Sequence, residues 1–208
     1  RWEMGGVNSI TGDEPHYLVM ASGIINELSL EQTKPYLDEF KNRDIYQAGL
    51  ATENAIPSAL NTHAVLGPNG LYNVHNVGLP ILLATPYFLG GVIGAKIFMV
   101  LVSSLAIVAL WRCAAHAPGD VAYRFWAVIA TTVAMPLVPG SSQIYPEIVA
   151  GLCSLVALGC IANARSHGSI GVVILVSCAI AFLPWLQIKY SATALVLMLM
   201  LSYKIHAH

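Results

Sequence analysis

The chain has 208 residues, 56% of them hydrophobic and 10% charged, with a formal net charge of −1. Soluble domains carry about 25% charged residues, so the composition excludes an ordinary soluble domain, and nothing in it points to nucleic-acid binding. The near-zero net charge hides a segregation, because nine of the eleven acids but only four of the ten bases fall in residues 1–78. The expected fold class is an all-α integral membrane protein. It has an outer loop region over 1–78 that contains membrane-parallel amphipathic helices, and a polytopic bundle of about five transmembrane helices over 79–208. The cysteines Cys113, Cys153, Cys160 and Cys178 lie in or beside apolar runs without CxxC spacing, and read as small buried hydrophobes. The chain begins at Arg1 without a signal peptide and stops at His208 just after an apolar run, so a longer parent is expected.

The first element follows Thr11-Gly12-Asp13-Glu14-Pro15-His16-Tyr17-Leu18, a dense polar constellation. Gly12 allows a tight turn, Asp13 is placed to cap a helix with its side chain, and Pro15 suits a first helical turn. Residues 14–28 place Tyr17, Leu18, Ala21, Ile24, Ile25 and Leu28 at helical spacing. The run is too short to span a bilayer, so an amphipathic helix at the membrane surface or on the protein is predicted. Residues 31–47 are charged, contain Pro35, and read as a short surface helix plus loop. Residues 48–78 are loop-rich, with a strong turn at Gly67-Pro68-Asn69-Gly70. Leu71 to Asn76 then reads as a short strand or an extended approach to the membrane.

From Leu79 the sequence turns apolar. Leu79 to Ala95, with Pro80, Pro86 and Gly90-Gly91, predicts a short interfacial helix ending near the glycine pair. Five spans are expected: Ile93 to Trp111; Phe125 to Leu137, broken by Pro136, Pro139 and Gly140; Ile148 to Ala164; Ile170 to Leu183, ended by Pro184-Trp185; and Tyr190 to Tyr203. Arg112 and Arg124, then Arg165, then Lys204 fall on one side, which is therefore cytoplasmic. Lys96 runs against that trend. The acidic N-terminal region and the segments Gln143–Glu147 and Trp185–Lys189 fall on the other.

Four places carry chemistry. Asp13 and Glu14 are candidate catalytic carboxylates, since partial desolvation raises such a group toward a useful base. With His16 they are also candidate ligands of a divalent metal ion; the competing reading is a capped helix on a wet surface. Glu147 is a membrane-boundary acid, for which a functional role competes with service at a helix N-terminus. Lys189 lies on the outer side and is a candidate for a phosphate partner, against a lysine snorkelling beside aromatic residues. His75, where the outer loop re-enters the membrane, is a candidate pocket residue.

Taken in order, Gly12-Asp13-Glu14-Pro15-His16-Tyr17, His75-Asn76-Val77-Gly78-Leu79-Pro80, Gln143-Ile144-Tyr145-Pro146-Glu147, and Leu183-Pro184-Trp185 with Lys189-Tyr190 resemble bacterial multi-spanning glycosyltransferases of the C-type fold. These are relatives of the protein mannosyltransferases and of the lipid A aminoarabinose transferase. The resemblance covers residues 10 to 205 and implies transfer of a sugar, with inversion, from a polyprenyl-phosphate donor to an acceptor hydroxyl. The resemblance places that reaction on the outer side of a bacterial inner membrane. It implies Asp13 as the base, and Glu14 and His16 as its support or as metal ligands. It further implies His16, Tyr17, His75, Tyr145, Glu147 and Lys189 as substrate-binding residues, Lys189 toward the donor phosphate. Family members usually have a preceding transmembrane helix, more spans, and often a C-terminal outer domain, which agrees with a longer parent.

Two other classes are weighed beside this. One is a non-catalytic membrane scaffold subunit derived from such an enzyme, packing against other membrane subunits through Gly151, Ala157, Gly159 and Ala162. The other, a transporter, is disfavoured by the absence of an internal repeat and by how few buried ionisable groups the spans contain.

Overall fold

The computed structural model describes residues 10–134, 137–163 and 170–206. Arg1, Pro136, Ala164, Arg165 and His208, used above, lie outside them. The described chain is mostly helical and divides into two compact units. One comprises residues up to Phe98 together with Ser142–Tyr145, and the other Met99–Ser141 and Pro146 onward. The first unit thus runs beyond the start of the apolar sequence at Leu79.

In the first unit, helix α1 (Glu14–Glu27) starts where predicted, with Pro15 in its first turn. Its first ten residues are buried on nearly every side, including Tyr17, Leu18, Val19 and Met20, so this half is a core helix rather than a one-faced surface helix. Leu28, expected on the buried stripe, is instead exposed in left-handed geometry at the C-cap, where the chain leaves the helix. Helix α2 (Thr33–Asn42) buries Tyr36 and Phe40. Pro35 sits at its third position, where the absent N–H would have had no helical partner. Glu39, buried on α2, accepts the amides of Ile45 (2.9 Å) and Tyr46 (2.8 Å) and so fixes the chain after the helix.

The turn at Gly67–Gly70 closes a two-stranded antiparallel hairpin, β1 (Ala64–Gly67) and β2 (Gly70–Asn73), in the register Gly67↔Gly70 to Ala64↔Asn73. Glu31 ties the hairpin to α2. Its Oε1 accepts the amides of Leu71 and Thr33, each at 2.9 Å, and the Thr33 hydroxyl. A Cβ on Gly70, whose φ is +136°, would run into this carboxylate, so glycine is required there on two counts.

Helix α3 (Gly78–Ala114) is two helical arms joined at Gly90 and Gly91, whose φ/ψ are −151°/21° and 56°/−144°. The glycine pair was read as the end of the first arm, and it is the joint. By length and composition α3 and the stretch Ile188–His206 suffice to cross a membrane.

In the second unit α4 (Val121–Val133) is capped by Asp120, which accepts the Tyr123 amide at 2.7 Å. It is followed by the single turn α5 (Leu137–Gly140), then α6 (Pro146–Asn163), α7 (Ile170–Leu186) and α8 (Ser191–His206), the last entered through a 3₁₀ turn at Ile188–Tyr190. Helix α6 packs on both α7 and α8. Pro184 does not end α7 as expected, because the helix runs on to Leu186. A proline this near a C-terminus forfeits a single ladder bond, of the carbonyl one turn before. Two of the small residues assigned to partner packing are used inside the chain. Ala157 is fully buried, and a Cβ on Gly159 would lie 3.1 Å from Cys113 Sγ.

Candidate functional site

The site grows from the turn before α1. Gly12 has φ +57°, and an added Cβ would lie 2.6 Å from the Tyr145 hydroxyl oxygen but 3.9 Å from its Cζ. Two forces therefore keep this position glycine: left-handed backbone and a close approach. Gly12→Ala is expected to destabilise the protein by about 2–5 kcal/mol, from backbone strain and overpacking together. In a Tyr145→Phe background the same change should cost only about 1–2 kcal/mol, because the strain alone remains. Denaturation of the four proteins of this cycle measures the difference.

Asp13 occupies the N-cap position, but its side chain accepts no capping hydrogen bond, contrary to expectation. The neighbouring glutamate takes over the local amides. Glu14, 2% exposed, accepts the Thr11 amide through Oε2 (2.8 Å) and the Ile144 amide through Oε1 (2.7 Å). Tyr145 reaches the same loop through the Thr11 carbonyl at 3.4 Å. Glu14 thus pins the loop to a segment 130 residues later, which leaves the Asp13 carboxylate for other work.

That carboxylate faces two histidines brought together by the hairpin. One step beyond the pair Ala64↔Asn73, the Val74 amide donates to the His63 carbonyl at 2.9 Å. His63 and His75 therefore meet at the open end of the ladder, with His63 Nδ1 3.2 Å from His75 Nε2. Asp13 Oδ1 lies 3.5 Å from His63 Nδ1 and 3.8 Å from His75 Nε2. His16 stacks on the His63 ring with centroids 3.7 Å apart, and Tyr17 approaches the His75 ring at 4.8 Å.

Behind these residues the hydrogen bonds have a fixed direction. Asn73 Oδ1 accepts the His75 amide at 3.0 Å, so its NH₂ group donates to the Tyr36 hydroxyl oxygen at 3.1 Å. The Tyr36 proton is then given to His16 Nδ1, 2.7 Å away. Burial, reinforced by His63 and His75, pushes His16 down to about 3, so this ring is the neutral acceptor the relay requires. Burial likewise outweighs the nearby Asp13 carboxylate and keeps His75 below its ordinary value.

Of the residues singled out in the sequence, Asp13, Glu14, His16, Tyr17, His75 and Tyr145 belong to this first unit. Glu147 and Lys189 form a separate pair in the second, with Lys189 Nζ donating to Glu147 Oε1 at 2.9 Å and lying 5.2 Å from the centre of the Tyr190 ring. A phosphate at Lys189 would have to share it with that carboxylate. The pair is half-exposed, so Glu147→Gln should change stability by less than about 1 kcal/mol in denaturation. His63, Tyr36 and Asn73 were not singled out. Folding the sequence back about Pro68-Asn69 pairs His63 with Val74, one residue before His75.

Comparison with protein-family models, with curated proteins and with solved structures finds no match to this chain.

Proposed function

We propose that this chain is a glycosyltransferase of the C-type fold, or the part of one that carries its base. It would transfer a sugar from a polyprenyl-phosphate donor to an acceptor hydroxyl at the outer face of a bacterial inner membrane. The observation that carries the reading is Asp13 itself. It is a carboxylate at a helix start, half-exposed, excused from capping, and set on a loop locked by Glu14 and Gly12. In the reaction the acceptor hydroxyl gives its proton to Asp13 as its oxygen bonds to the anomeric carbon. The bond from that carbon to the phosphate oxygen breaks, and its electron pair leaves with the polyprenyl phosphate. One displacement inverts the configuration and needs no protein nucleophile.

The membrane setting is supported by the apolar surfaces the helices expose. Ile97, Leu101, Leu105 and Val108 on α3, Ile174 and Leu175 on α7, and Leu195, Val196 and Leu199 on α8 are all exposed. Rows of exposed aliphatic side chains suit a lipid environment better than water. In this reading the spans are the second arm of α3 with α4, α6, α7 and α8, and residues 1–78 lie outside.

The test is transfer of labelled sugar from a polyprenyl-phosphate donor by the chain in proteoliposomes. Transfer that proceeds unchanged in Asp13→Asn overturns the reading. A folded chain that never transfers favours the scaffold subunit.

A further inference from the structure

The strongest feature outside the proposed chemistry is the triangle made by Asp13 Oδ1, His63 Nδ1 and His75 Nε2. Its edges are 3.2, 3.5 and 3.8 Å. The two contacts to Asp13 are too long for good hydrogen bonds. The third edge, between the two imidazoles, is a hydrogen bond whose proton a metal ion would displace, and three potential ligand atoms from three separate segments of chain converge on one point. Zinc bonds to imidazole nitrogen and carboxylate oxygen are about 2.0–2.2 Å, so the ligand atoms of a tetrahedral site stand about 3.3–3.6 Å apart. The observed edges bracket that spacing. An octahedral face at the same bond lengths would be tighter, about 2.8–3.1 Å.

We propose that Asp13, His63 and His75 bind one divalent transition-metal ion of the zinc class. They form three corners of a tetrahedron, with the fourth open to solvent. Two imidazoles and one carboxylate suit zinc and its neighbours, whereas magnesium and calcium demand oxygen ligands. The open corner follows from exposure. The side chains of Asp13 and His63 are 43% and 45% exposed, while His75, at 14%, closes the inner side. Residues behind the ligands hold the surrounding chain and one ring in place. Asn73 holds the His75 backbone, Tyr36 holds Asn73 and His16, and the His16 ring lies flat on His63. Glu14 and His16, the other metal candidates in the sequence, are committed elsewhere: Glu14 to two amides and His16 to Tyr36. The site does not depend on the transferase reading.

The test uses the full chain in detergent, stripped with a chelator, dialysed against zinc chloride and analysed for bound metal. One zinc per chain is expected, and cobalt chloride in its place should give the strong visible absorption of tetrahedral Co²⁺. His63→Asn and His75→Asn should each weaken zinc binding at least about 100-fold, since even changes behind a ligand cost about 10–100-fold. His116→Asn and His206→Asn, at exposed histidines of the other unit, should leave it unchanged. Absence of stoichiometric zinc overturns the proposal, as does binding that survives in the His63→Asn/His75→Asn double variant. Displacement of zinc by equimolar magnesium would overturn it too. If His75→Asn fails to fold, the half-exposed His63 still decides the question. Because binding is read without donor or acceptor, zinc bound by a chain that transfers no sugar would sink the transferase alone. Sugar transfer by a chain that binds no zinc would sink the metal site alone.

Discussion

Asp13→Asn is expected to lower sugar transfer about 10²–10⁴-fold, the usual contribution of a positioned general base, while leaving the stability of the chelator-treated, metal-free chain within about 0.5 kcal/mol. The second half of that expectation makes the first informative. Asn has the shape of Asp but cannot take up the acceptor proton. In most helices an N-cap substitution costs stability, which confounds an activity loss. Here the Asp13 side chain caps nothing, since the loop amides belong to Glu14. Rates in proteoliposomes and melting of the same preparations after chelator treatment supply both readouts. His63→Asn is the companion variant, because it removes a metal ligand and keeps the carboxylate. Transfer retained in His63→Asn but lost in Asp13→Asn assigns the effect to the base. Equal losses in both assign it to the ion.

Glu14→Ala, one residue on, should do the reverse, costing about 3–5 kcal/mol of stability. The carboxylate is buried, and each of its oxygens accepts one backbone amide. Bonds to a charged acceptor are worth about 1.5–3 kcal/mol each, and the truncation leaves two amide hydrogens with nothing to meet. Glu14→Gln should fall between, because its single carbonyl oxygen can serve one amide while its NH₂ confronts the other. Tryptophan fluorescence during denaturation in detergent would measure the series. A loss below about 1 kcal/mol for Glu14→Ala would mean that these two bonds do not hold the loop. Any fall in transfer that tracks the stability loss marks Glu14 as a positioning residue.

Much of the local structure was legible because glycine and proline leave strong marks. Gly12 gave the turn, Pro15 the start of α1, Gly67–Gly70 the hairpin turn, and Gly90-Gly91 the joint in α3. Legibility failed where contacts distant in sequence override local preference. Nothing near Asp13 says that Glu14 will claim the amides, because one of those amides belongs to Ile144. The stripe from Tyr17 to Leu28 looks amphipathic, but the start of α1 is buried on nearly every side, with α2 and the histidine cluster among the groups against it. A lone histidine in a loop carries no periodic signal; the hairpin pairs His63 with Val74, and His75 reaches its ring only where the chain leaves the ladder beyond Asn73. Glu147 and Lys189 each drew a reading as an isolated charge, and the structure pairs them, through one carboxylate oxygen, across 42 residues of sequence.

The bond between Glu14 and the Ile144 amide also has a consequence for biosynthesis. A chain emerging from the ribosome delivers α1, α2 and the hairpin long before residue 144 exists. Until then Glu14 has only the nearby Thr11 amide to hold, and the Asp13 loop is fastened at one end. The second fastening must wait for the intervening helices of the other unit, Met99 to Ser141, to be synthesised. The carboxylate at the centre of the site is therefore set in place late, and a nascent chain interrupted before Ile144 would carry every residue of the histidine cluster without the clasp that holds its acid in place.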